Sequence, residues 1–271
     1  NIFAAFGDFV DIMKDSENLL FERLDDLVRS ARDNYTPGFT KFLDGSELVK
    51  AEEYVSGFKN DIICVCFGGF ENAERCVVGL FPKSVYEFSD KSELYKIFGL
   101  ECLHICGSGY RELSHRDFLG SILSLGVKRE TVGEILVSDD KFSAYAVFLQ
   151  PVGSYVLSEL ESVANDKVKC ITVSHSQLPE IRHDFVPISA TVASLRLDCV
   201  LAEALKTSRE KAKWLIDSKC VSVNHAETQK CDTALSCGDL LSVRGHGRFA
   251  LSECGEVTKK GRIKIIIKKF V

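Results

Sequence analysis

No run of about eighteen apolar residues occurs in this 271-residue sequence, so no membrane-crossing helix is expected. The opening "NIFAAFGDFVDIMKD" has an apolar start but no basic leader, and it carries acids at once, which argues against a secretion signal. Zinc-type spacing is also missing. The eleven cysteines are odd in number and scattered, and the nearest pairs, Cys64/Cys66 and Cys102/Cys106, have no matching second pairs. Reduced, mostly buried thiols in a cytoplasmic protein are expected, with no metal and no cofactor. Gly68-Gly69 precedes neither Lys-Ser/Thr nor a helix, so it reads as a hairpin turn, not a phosphate loop. No internal repeat or low-complexity tract appears.

What is present suffices for two or three domains, with 45% hydrophobic residues to fill their cores. The net charge of −5 conceals an asymmetry. Residues 191–271 hold fifteen Lys/Arg against nine Asp/Glu, a net +6, and residues 1–190 hold nineteen against thirty, a net −11. A basic C-terminal third on an acidic body points to one end meeting a polyanion.

Helical spacing runs over 8–34, through Phe9, Ile12, Met13, Leu20, Leu24, Leu27 and Val28, and "TPGF" (36–39) breaks it. A second helix is predicted over 46–55, then a hairpin through "DIICVCFGGFENAERCVVGLFP". The middle segment reads as strand (101–107), helix (115–126, capped by Gly126), two strands around Asp-Asp (133–149), helix (152–164) and strand (168–174). That β-α-β-β-α-β order is ferredoxin-like and is shared by many RNA-recognition domains. "KFSAYAVF" (141–148) partly matches their aromatic strand, but Phe142 and Ser143 depart from the pattern and core packing is the favoured reading. "HSQLPEIRHDFVPISAT" (175–191) reads as a linker.

Beyond the linker, Leu197, Val200, Leu201, Ala204 and Leu205 fall at helical intervals, and "TSRE" (207–210) suggests a capping box from Thr207 to Glu210. The next helix buries Ala212, Leu215 and Ile216, with Arg209 and Lys213 four apart along one border, able to meet successive phosphates. Trp214 lies off that face, free to pack on a neighbouring domain or to stack on RNA. Short strands follow at 221–224 and 239–245. In "SVRGHGRFAL" (242–251), Gly245 and Gly247 permit a tight turn from which Arg244 and Arg248 project, toward an RNA backbone or toward solvent; His246 receives no catalytic role. The tail "KKGRIKIIIKKF" (259–270) is expected to pair as a strand with "RFALSE".

"LRLDCVLAEAL…SREKAKWLIDSKCVSVN…GDLLSVRG" resembles the S-four RNA-binding domain, named for a small-subunit ribosomal protein, through Arg196-Leu197-Asp198, Ser208-Arg209, Val223-Asn224 and Gly238-Asp239. The resemblance implies that Arg196, Ser208, Arg209 and Lys213 contact structured RNA, with Lys219 and Asn224 at the edge of that surface. Lys219 stands where the family usually has glycine, so either it adopts a left-handed conformation or the turn is rebuilt. "TKFLD" (40–44), "FGGFENAER" (67–75), "SHRDFLGSILSLGVKRE" (114–130) and "RGHGRF" (244–249) extend the resemblance to the YlmH family of bacterial RNA-binding proteins. What that implies is binding of rRNA and tRNA on the large ribosomal subunit, as a translation or ribosome quality control factor.

The expected fold class is therefore α+β, in three parts. These are a small N-terminal α/β domain (1–88), a central ferredoxin/RRM-like domain (89–182) and an S-four-type module with a C-terminal strand extension (190–271). Enzyme readings fare worse. A pseudouridine synthase would carry the module at its N-terminus beside a larger catalytic domain, and tyrosyl-tRNA synthetase signatures are absent. For a methyltransferase, "CGSGY" (106–110) offers only a lone G-x-G. "SHRD" (114–117) places His115, Arg116 and Asp117 about 100° apart on a helix, so they cannot converge on one reacting atom. Ser114 and Asp117 fit capping, and His115 and Arg116 remain candidates for secondary binding. A non-catalytic RNA-binding protein is the leading expectation. An RNA-modifying enzyme and a protein-interaction scaffold are the alternatives.

Overall fold

The computed structural model describes residues 2–86, 96–181, 185–258 and 261–270, and for residues 2–17 the backbone alone. The chain divides into two compact units, Asn1–Ile181 and Arg182–Val271. The predicted boundary at 88/89, the linker residues 182–184, Lys259 and Lys260, and the helical-face residues Phe9, Ile12 and Met13 lie outside the described residues or side chains.

In the first unit, α1 (Ile2–Asp33) precedes β1 (Gly38–Leu43), α2 (Gly45–Val55), β2 (Ile62–Phe67) and β3 (Cys76–Pro82). The three strands form an antiparallel sheet with β3 in the centre, buried along its whole length. Leu20, Leu24, Val28 and Ala31, spaced by four, four and three, turn one stripe of α1 onto Val78 and Leu80. Asp44 caps α2 in a full capping box with Glu47.

A second antiparallel sheet follows, built from β4 (Leu100–Cys106), β5 (Val132–Val137), β6 (Ser143–Leu149) and β9 (Lys169–Thr172) in the order β5-β6-β4-β9. Between them lie α3 (His115–Ser124), α4 (Val152–Glu159) and the small hairpin β7 (Ser162–Val163) and β8 (Asp166–Lys167). Leu103, Ile105, Ala144, Ala146 and Phe148 bury one face of this sheet against the helices. The opposite face presents Cys102 and Val147 to Phe42, Phe70, Val77 and Phe81 of the first subdomain. The unit is thus a stack of helices, sheet, sheet and helices.

Two features permit that close sheet contact. Gly133 lies under the Phe42 ring, where a Cβ would come within 2.7 Å of ring carbons. Arg75 donates to the Phe42 and Val132 carbonyls at 3.2 and 3.3 Å, and Arg129 donates to the Val132 carbonyl at 2.6 Å. Burial, with Arg75 nearby, pushes Arg129 down to about 10. Lys41 also pairs with Glu130.

The helix predicted over 152–164 is shorter than expected. It stops at Glu159 because Leu160 turns to extended backbone, which lets Leu160 and Val163 bury beside Val156. Asp166, which follows, accepts from the Ser108 amide at 2.9 Å and from its hydroxyl at 2.5 Å. The Ser114–Asp117 capping box and the left-handed Gly126 (φ 82) match the sequence reading.

In the second unit, β10 (Phe185–Val192) leads to α5 (Leu197–Ala204), α6 (Arg209–Asp217), β11 (Val221–Val223), β12 (Ala226–Glu227), β13 (Leu240–Val243), β14 (Gly247–Val257) and β15 (Ile263–Phe270). The sheet order is β10-β15-β14-β13-β11-β12, every pairing antiparallel. The expected tail strand is β15, paired with β14. The supposed linker is partly wrong, since β10 pairs with β15 from Phe185↔Phe270 to Val192↔Ile263. Pro187 obscures it, yet proline is tolerated on an edge strand, and Ile188, Ala190 and Val192 alternate inward. The predicted Thr207 capping box is also corrected: Ser208 is the N-cap and accepts from the Lys211 amide at 3.2 Å. All eleven cysteines are free.

Gly133→Ala should destabilise the first unit by about 1–3 kcal/mol, because the added methyl forces the Phe42 ring from a filled core. Thermal and urea unfolding of the full chain would measure it. An unchanged transition would mean that Phe42 yields freely.

Candidate nucleic-acid interface

The basic surface of the second unit is assembled around a carboxylate. Asp198 is 0% exposed, yet it accepts from Arg196 Nε at 3.2 Å and Arg209 Nη2 at 2.6 Å. Its own amide donates to the Cys231 carbonyl at 3.1 Å, tying the loop before β13 to the start of α5. Burial opposes its ionisation, but the hydrogen bonds from Arg209 and Arg196 together hold its carboxyl below the usual range. The two arginine side chains are 43% and 54% exposed, so each keeps donors directed to solvent. Lys213 lies exposed one turn beyond Arg209 on α6.

The other end of α6 closes on Lys219, which adopts φ 56, the left-handed conformation its glycine-like position demands. The cost is about 1 kcal/mol. The Arg244 amide then donates to the Cys220 carbonyl at 2.8 Å, fastening the β13–β14 hairpin beside the helix terminus. Gly245 (φ 79) and Gly247 (φ 96) make that hairpin turn. Lys219, His225, Arg244 and Arg248 line a common groove of about 480 Å³. Arg248 lies over the Phe270 ring, 5.4 Å from its centroid. Arg209, Lys211 and Lys213 thus lie in the first two turns of α6, and Lys219 follows just past its C-terminus.

Two residues expected at the RNA contact also shape the backbone. The Ser208 hydroxyl accepts from the Lys211 amide as the N-cap of α6. Asn224 (φ 48) and His225 (φ 68) form the two-residue turn between β11 and β12. Asn224 Nδ2 donates to Asp239 Oδ1 at 2.8 Å, and Asn224 Oδ1 accepts from the Leu240 backbone amide at 2.9 Å. Trp214 is 63% exposed. His115 and Arg116 lie exposed on the first turn of α3, in the first unit. The sequence shows Asp198 only as part of the Arg196-Leu197-Asp198 resemblance; its spacing from Arg196 and Arg209 is the signal that it anchors both arginines.

A family model described as "Putative RNA-binding domain in YlmH" matches residues 97–177, the segment containing the second sheet. Over 270 residues the chain is 27% identical to ribosome-associated protein quality control protein P2 of Bacillus subtilis (strain 168), covering 97% of this chain and 99% of that one. The solved structure of cell division protein ylmH from Streptococcus pneumoniae matches with a TM-score of 0.50 at 17% identity, over 60% of this chain and 93% of that one. The chain is YlmH-like.

Several residues in the YlmH-like segments of the first unit hold the fold together. Asp44 caps α2, Arg75 and Arg129 stitch the two sheets, and Ser114 and Asp117 cap α3. Among the described residues no group of His, Cys, Asp and Glu could hold a metal ion, and no helix is long and apolar enough to cross a membrane.

Asp198→Asn should keep the shape and lose the charge, lowering the stability of the second unit by about 1–2 kcal/mol at pH 7. Because the folded carboxyl ionises below its unfolded value near 4, its contribution is complete above about pH 4 and is lost as pH falls through the lower folded value. The gap between wild type and variant in urea unfolding should therefore narrow below pH 4. A gap that stays constant to pH 2 would contradict the ionic anchor.

Proposed function

We propose that this chain is a non-catalytic RNA-binding protein of the cytoplasm that acts in translation or ribosome quality control. Its targets on this reading are rRNA and tRNA on the large ribosomal subunit. The observation that carries the proposal is the Asp198-anchored basic strip. Arg196, Arg209 and Lys213 meet the RNA backbone at one end, and Lys219, Arg244 and Arg248 meet it at the other. Side chains fixed by a buried partner are suited to a rigid, structured RNA, because little of their freedom is lost on binding. Ser208 and Asn224 shape this surface from within it. The full-length similarity to a Bacillus subtilis protein named for ribosome-associated quality control supports the ribosomal setting.

On the same reading the central domain is ferredoxin/RRM-like, a view supported by its strand order β5-β6-β4-β9 with helices on one face. Residues 1–88, 89–182 and 190–271 are then three functional parts, the first two packed as one unit. The acidic body, net −11 against +6, discourages indiscriminate coating of RNA, with His115 and Arg116 as a second foothold.

Replacing Lys213 and Arg244 with glutamate should weaken binding to ribosomal RNA and reduce the salt-dependence slope by about two, since each lost phosphate contact removes roughly one. Unchanged affinity and slope in a folded variant would remove both residues from the interface. In gradient sedimentation, full-length protein should favour large subunits that hold a tRNA. A fragment beginning at Phe185, which keeps β10, should bind RNA without that preference. Equal partition of the full-length protein between empty and tRNA-bearing subunits would sink the ribosomal assignment.

A further inference from the structure

In the second unit, alternate residues of the sheet face α5 and α6. Val221, Leu241, Val243 and Phe249 pack in the core with residues of those helices, so the residues between them point to the opposite face. One cross-strand row on that face joins four strands. Glu227 on β12 stands opposite Ser222 on β11, Ser222 opposite Ser242 on β13, and Ser242 opposite Arg248 on β14. The row grades from a carboxylate through two half-buried hydroxyls to a guanidinium. All four residues line the groove of about 480 Å³, together with Lys219, His225 and Arg244.

The carboxylate is out of place in a groove that otherwise offers cations to phosphate. Its one ion pair among the described residues is to Lys219 Nζ at 3.9 Å, with both side chains about half exposed, too loose and too solvated to hold the turn. Asn224 and His225 shape that turn without it. We propose that the groove holds one unpaired guanosine of the bound RNA, with Glu227 accepting from N1–H and N2–H of the base and Arg244 and Arg248 on its phosphate. Guanine alone among the four bases presents two adjacent donors on its Watson–Crick edge. Adenine, cytosine and uracil each set one donor beside an acceptor, which a carboxylate repels. Ser222 and Ser242, which can donate or accept, lie between the two ends and suit the O6 and N7 acceptors. Three strand spacings, about 14 Å at the backbone, separate Glu227 from Arg248, which leaves room for one nucleotide between the side chains. Pairing would hide N1–H and N2–H, so the groove reads a bulge, a loop or an end, and not a helix.

The pocket rests on the reading of this chain as an RNA-binding protein and adds a base to what the basic strip takes as backbone. Its test uses the full chain and one RNA stem in five versions, fully paired or carrying a single bulged G, A, C or U. The bulged G should bind about tenfold more tightly than any other version. Glu227→Gln should abolish that preference, because the amide turns a donor toward one of the two guanine donors. Thermal unfolding checks that the variant is folded. Guanosine 5′-monophosphate should compete with the bulged-G stem only at far higher concentration, since it brings none of the flanking backbone. A folded Glu227→Gln chain that still prefers G, while gaining affinity for every stem alike, would reduce Glu227 to a surface charge and overturn the pocket. Competition by guanosine 5′-monophosphate at the RNA's own affinity would assign the groove to a free nucleotide and also overturn it. Should the wild-type chain bind all five stems equally, the pocket alone falls; should it bind none, the wider reading falls with it.

Discussion

A carboxylate without solvent is the constraint on which the second unit turns. Leaving Asp198 buried and unpaired would cost several kcal/mol, so Arg196 and Arg209 are held in place by the folding of the helices themselves. The consequence is directional: each guanidinium gives part of its donor set inward and keeps the rest for solvent. Long basic side chains ordinarily lose rotamer freedom when they bind. Here two of them have lost much of it already.

The first unit obeys a different logic. Its net negative charge coexists with arginines that are used up inside the stack, Arg75 on the Phe42 carbonyl and Arg129 on the Val132 carbonyl. These side chains replace hydrogen bonds that the facing sheets cannot make with each other, since sheets packed face to face offer one another only side chains. Charge count alone would assign such arginines to a ligand. Their geometry assigns them to the frame.

Much of this was legible in the sequence. The spacing of Leu20, Leu24 and Val28, the Gly126 terminus and the alternation of 263–270 announce their elements, because each is a local preference that the packing respects. Lys219 was recognisable as a left-handed position from what normally stands there. The misses share a cause. Phe185–Val192 became a strand because its partner lies some seventy residues away, and Leu160 left its helix because a core contact outweighed propensity. Among the candidate site residues, Arg196, Arg209, Lys213, Lys219, Arg244 and Arg248 were found as cations, but how they are held was not. The row of Glu227, Ser222, Ser242 and Arg248 joins residues of ordinary appearance on separate strands, and only the register of β11 to β14 brings them together.

The position of β15 has an implication for biogenesis. It lies between β10 and β14, so the earliest and latest strands of the second unit are immediate neighbours in the sheet. A chain still being made, with residues 185–257 joined and 263–270 not yet added, lacks the strand that bridges them. Ile265 and Ile267 are missing from the core at that stage, and β10 has no edge to join. The helices that carry the arginines then lie on an unfinished sheet. The order of synthesis itself withholds a finished basic surface until the last strand is in place.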